Sequence, residues 1–124
     1  MKITIRFASY QVDAELYETP TGRAIYDALP FHENVSLWGD EIYFEIPVET
    51  SLEPGSRAAV AVGDLGYWPN MPAFCIFFGP TPVSTGSTPV AASAVNIFGK
   101  LSTVEVGKLR KIPEGVKVTI TRAD

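Results

Sequence analysis

Hydrophobic and polar residues alternate in several short runs along this chain, and glycine and proline separate the runs. Lys2-Ile3-Thr4-Ile5-Arg6-Phe7 alternates with period two, and Val12-Asp13-Ala14-Glu15-Leu16-Tyr17 alternates again after a short turn, which predicts an antiparallel hairpin. Thr19 followed by Pro20 is a helix start: the threonine offers an N-cap oxygen, and the proline's missing N–H costs nothing at the first helical position. Ala24, Ile25, Ala28 and Leu29 make one apolar face before Pro30 ends it. This short helix should plug one end of a sheet or barrel.

The clearest hairpin is Val35 to Trp38, Gly39-Asp40, then Glu41 to Ile46, where glycine at the first position of a two-residue loop fits a type II′ turn. Alternation sends Ile42, Phe44 and Ile46 to one face and Glu41, Tyr43 and Glu45 to the other. Ala58 to Val62 and Phe74 to Phe78 are apolar enough to be buried strands, with Gly63-Asp64 turning out of the first and Gly79-Pro80-Thr81-Pro82 closing the second. Val83 to Ala92, rich in Ser, Thr, Pro and Gly, predicts a long surface loop. Ser93 to Leu101 reads as a strand. Ser102-Thr103-Val104-Glu105 has capping-box spacing ahead of a short helix, with Lys108, Arg110 and Lys111 near its C-terminal end. Val116 to Thr121 is a final alternating strand. Many short strands with two short helices point to a mainly β fold, a closed antiparallel β-barrel with two capping helices.

Composition sharpens this picture in one place. No charged residue lies between Asp64 and Lys100, and that neutral stretch holds Tyr67, Trp68, Phe74, Phe77, Phe78, Phe98 and five of the ten prolines. Such a segment is a core or a pocket wall. The 124 residues are read as one domain, 1–124, large enough to need no metal or disulfide. Cys75, the one cysteine, sits among apolar neighbours and reads as a small buried hydrophobe in a reducing compartment. With no apolar block at the start and only short apolar runs, a cytoplasmic protein with no membrane segment is expected. A net charge of -4 argues against a nucleic-acid partner. The charge is uneven, with ten acids against three bases in residues 1–53 and four against seven in 54–124. No Gly-rich phosphate loop is present, and His32 has no second histidine or cysteine pair with which to bind a metal, so no cofactor is expected. Adjacent Asp40 and Glu41 would point apart on a strand.

Four blocks carry a resemblance: Asn34 to Phe44 (NVSLWGDEIYF), Val62 to Pro69 (VGDLGYWP), Phe77 to Pro82 (FFGPTP) and Ala94 to Lys100 (AVNIFGK). In this order they resemble the small prokaryotic cyclophilin-like proteins typified by the Thermotoga member, a family named for its shape and generally of unknown function. The resemblance covers almost the whole chain and implies an antiparallel cyclophilin-type barrel with capping helices. In true cyclophilins an arginine after a Phe-His pair polarises the prolyl nitrogen. Here Glu33 follows Phe31-His32, an acceptor in place of a cationic donor, and prolyl isomerase activity is not expected.

The remaining chemistry is that of a pocket. Tyr67, Trp68, Phe78 and Trp38 are candidate apolar walls, and Glu41, Tyr43, Asp64 and Asn96 are candidate polar groups. Phe77 and Phe98 read as core, Asp64 as a turn former, and His32 as a surface loop residue. Trp68, between Tyr67 and Pro69, reads as a rim residue. The first functional expectation is a binding module for a proline-containing peptide or small amide-like ligand. The second is a prolyl-isomerase-like or carboxamide-processing enzyme, or a subunit of one, since related barrels occur in carboxamide-processing and oxoprolinase-type assemblies. The third is a homodimer that covers the aromatic face.

Overall fold

The computed structural model describes residues 1–123. Ten strands and two helices run in the order β1 (Lys2–Arg6), β2 (Gln11–Leu16), α1 (Pro20–Ala28), β3 (Phe31–Asn34), β4 (Ser36–Leu37), β5 (Glu41–Glu45), β6 (Arg57–Ala59), β7 (Asp64–Trp68), β8 (Ala73–Phe77), β9 (Val90–Leu101), α2 (Val106–Leu109) and β10 (Lys117–Arg122). All pairings are antiparallel, in the order β3-β10-β1-β2-β9-β7-β8-β5-β4, with β6 paired to β9 off this path. No described helix is long and apolar enough to cross a membrane.

The expected closed barrel is corrected to a curled, open sheet. Its two end strands, β3 and β4, are separated in the chain by Val35 alone, so the edges meet at one residue. They cannot pair with each other, because a single residue cannot reverse the chain into a hairpin. Val35 instead pairs with the residues just before β10: its N–H donates to the Val116 carbonyl and its carbonyl accepts from the Gly115 N–H.

Alternation along the strands fills the concave side. Ile3 and Ile5, Val12 and Ala14, Ile42 and Phe44, Leu65 and Tyr67, Phe74 and Ile76, and Val118 and Ile120 all point into one core. Phe74 stacks on Phe44 at 4.9 Å and meets Phe98 edge-on at 5.0 Å. Ile25 of α1 and Leu109 of α2 join this core, as helix plugs should. Thr19 caps α1 through Gly22 N–H, with Pro20 at the first position. The buried stripe of α1 is Thr21, Gly22 and Ile25; Ala28 of the expected face is exposed.

Several boundaries differ from expectation. Phe31–Asn34 is a strand rather than a loop, although His32 is exposed on it. The apolar run 58–62 pairs only briefly as β6, and Val62 is exposed. The loop after Pro80 ends at Pro89, since β9 begins at Val90. Helix α2 is capped by the Glu105 backbone, and no side chain completes the expected capping box.

Candidate functional site

The other face of β5, β7 and β8 is covered by the first half of β9, and this layer creates the site. Long strand β9 pairs with β2 and β7 through its C-terminal half and with β6 through its N-terminal half. Val60, Ala73, Cys75, Phe77, Ala91 and Val95 form a second, smaller core between the layers, with Tyr43, Trp68 and Ile97 packed against it. Gly66 permits this close approach: a Cβ there would lie 2.9 Å from Val95 Cγ2 and 3.0 Å from Phe77 Cε2.

Beside this small core is a cavity of about 270 Å³ lined by Trp38, Glu41, Tyr43, Trp68, Met71, Cys75, Ala91, Ala92 and Val95. Most of these lining residues follow from local structure. The Gly39-Asp40 loop is a two-residue hairpin in which Trp38 and Glu41 exchange backbone hydrogen bonds, and Gly39 has φ of 61°. Glu41 and Tyr43 then fall on the face opposite Ile42 and Phe44. Tyr43 stands across from Cys75, and Trp68 across from Ala73. The small side chains Ala91 and Ala92 leave room where larger ones would fill it. Trp68 is tied across the cavity, its indole N–H donating to Ser93 Oγ on β9 at 2.6 Å.

Glu41 is the one charged residue in this lining, and it is only 6% exposed. Burial pushes its carboxyl up to about 7, partly offset by a hydrogen bond from the Cys75 thiol. Burial also pushes the Cys75 thiol well above its usual range, and the nearby Glu41 charge adds to this, so Cys75 is not an activated nucleophile. Asp40, next to Glu41, is held by a bidentate pair with Arg110 at 2.8–3.3 Å, which anchors the hairpin turn to the segment after α2.

The candidate residues therefore separate. Trp38, Glu41, Tyr43 and Trp68 meet around the cavity. Tyr67 points into the main core, where its hydroxyl donates to the Val48 carbonyl at 2.7 Å and accepts from Thr50 N–H at 3.2 Å, so it anchors the 46–56 loop. Phe78 is a main-core residue and does not line the cavity. Asn96 is 3% exposed; it accepts from Glu53 N–H and donates to Thr21 Oγ1 and the Ser51 carbonyl. Asp64 accepts from Ala61 N–H and shapes the turn into β7. Asp64 and Asn96 border a separate polar hollow with Tyr17, Glu53 and Arg57. Sequence reasoning missed Met71, Cys75, Ala91, Ala92 and Val95 at the cavity. Cys75 has the signal that mattered: it alternates with Phe74 and Ile76, and so shares a face with Tyr43 and Glu41. Among the described residues, no group of three or more His, Cys, Asp or Glu is placed to hold a metal.

Comparison with known proteins places this architecture. A solution structure of the hypothetical protein AF2241 from Archaeoglobus fulgidus is 42% identical, with 99% of this chain and 95% of that one aligned and a TM-score of 0.83. McbB, solved in complex with tryptophan, shares the fold at a TM-score of 0.71 and 12% identity, with 98% of this chain aligned to 44% of McbB. No curated protein matches the sequence. The cyclophilin-like family pattern matches residues 1–121, and the chain belongs to the cyclophilin-like family.

Proposed function

We propose that the protein binds a small, ring-bearing molecule with a nitrogen-centred polar group, its apolar part lying against Trp38 and Trp68 and its polar part on Glu41. The observation that carries this reading is the buried carboxyl in an otherwise uncharged, aromatic-walled cavity. A carboxyl left there without a cation is costly to ionise, and a ligand donor would satisfy it. About 270 Å³ is at the lower edge of the range of ligand pockets, which favours a compact molecule or a single prolyl ring over a longer peptide. McbB, 44% of which matches this fold, was solved in complex with tryptophan, and the reading is compatible with a ligand of that kind.

A second reading has its own observation. A carboxyl with a pKa of about 7 populates both protonation states at neutral pH, the condition that suits a general acid–base group. The cavity would then be an enzyme site, or part of one, acting on an amide-like substrate.

The test is a titration of ¹⁵N-labelled protein with small amides, N-heterocycles and Xaa-Pro peptides, with exchange spectroscopy and product analysis on each ligand. Binding should move the Trp38 and Trp68 indole signals and the Glu41 and Tyr43 amides, and Trp68→Ala should abolish the response. Conversion of any ligand, lost in Glu41→Gln, would establish the enzyme reading. Shifts confined to the hollow at Arg57 and Asn96, or none across the panel, would overturn the proposal.

A further inference from the structure

We infer that the polar group this cavity selects is an ammonium centre, so that its ligand is a small organic amine or quaternary ammonium ion held between Trp38, Tyr43 and Trp68 with Glu41 as counter-ion. The inference rests on the binding reading above and names the charge of the ligand. Three aromatic rings line one small cavity, and their faces carry the negative end of the ring quadrupole, which attracts cations. The same lining holds one carboxylate and no lysine, arginine or histidine. An anionic ligand would meet only repulsion there. A neutral one would leave the aromatic faces without electrostatic use.

The nearby cation is already committed. Arg110 makes its bidentate pair with Asp40, the residue before Glu41, and is absent from the cavity lining. Among the described residues Glu41 therefore has no cationic partner in the cavity lining, and burial raises its pKa. The other titratable groups that face it are Tyr43 on its own strand and Cys75 on β8; β7 and β9 contribute Trp68, Ala91, Ala92 and Val95, none of which titrates. An ammonium ion in the cavity favours the ionised carboxylate, so binding should expel the Glu41 proton.

Benzylamine, protonated throughout the working range, and benzyl alcohol differ by this charge and little else in size. By calorimetry and indole NMR shifts the wild type should bind benzylamine at least tenfold more tightly than benzyl alcohol near pH 8, with benzylamine affinity falling as pH drops below about 7 and benzyl alcohol affinity unchanged. Glu41→Gln should cut the preference for the amine at least severalfold and abolish its pH dependence. Tetramethylammonium should compete with benzylamine in the wild type. Equal binding of the amine and the alcohol, or a preference that keeps its full size and pH dependence in Glu41→Gln, overturns the ammonium assignment and leaves the binding reading standing. If neither compound binds but neutral amides do, the assignment also fails. If nothing in either panel binds, both fail.

Discussion

Replacing Glu41 with glutamine should change the pH dependence of stability far more than the shape of the fold. The two side chains are nearly isosteric, but only the glutamate titrates. In the unfolded chain its carboxyl ionises near 4.5, and in the folded protein burial moves this to about 7. Below the lower value both states are protonated and no stability is lost. Between the two values the folded protein retains a proton that the unfolded chain has released, so stability falls as pH rises. The loss is complete once the folded carboxyl itself ionises above about 7. At ~1.4 kcal/mol per pH unit the full loss is about 3 kcal/mol. Urea unfolding of both proteins from about pH 4 to about pH 8.5 reads this, because titrating groups that do not contact Glu41 cancel in the difference. Glu41→Gln should gain on the wild type steadily between the two pKa values and then hold a constant advantage. A difference that stays flat across the range would refute the claim that the carboxyl is buried without a compensating cation.

Two further substitutions test the framework around the cavity. Gly66→Ala forces a methyl group against Val95 and Phe77 where β7 crosses beneath β9, and should cost about 1–3 kcal/mol in denaturant unfolding. Asn96→Ala removes three hydrogen bonds that hold the 51–53 segment against α1, and should cost about 2–3 kcal/mol, with amide exchange quickening at Glu53 and Thr21 but not at Glu41.

The sequence made the local elements legible wherever alternation was strong. The hairpin through Gly39-Asp40 and the division of Glu41 and Tyr43 from Ile42 and Phe44 follow from turn chemistry and period two, and they place three of the nine residues that line the cavity. Thr19-Pro20 announced α1 in the same way. Strand β3 was hidden because only Phe31 of its four residues is buried, so His32, Glu33 and Asn34 look like a loop. The roles of Tyr67 and Asn96 were not legible, since their partners lie 17 to 75 residues away and become partners only in the folded chain. Tyr67 reads as an apolar pocket wall and Asn96 as a polar pocket group in sequence, yet both serve to fasten loops. Small residues failed in the opposite sense: Cys75 looks like core and Ala91 like part of a surface loop, and both line the cavity.

The seam at Val35 also has a consequence for biosynthesis. Strand β1 lies between β2 and β10, and its last neighbour is residues 117–122. The β1–β2 hairpin forms from adjacent chain early in translation, but one side of β1 stays uncovered until nearly all the described chain has been made. Strand β3 waits likewise, because its ladder partner is also β10. The nascent chain thus carries open strand edges through most of its synthesis, and the sheet finishes only when its final strand enters between the two earliest parts of the fold. The edge of β1 that faces β10 is therefore open to misassembly until β10 arrives and is closed afterwards.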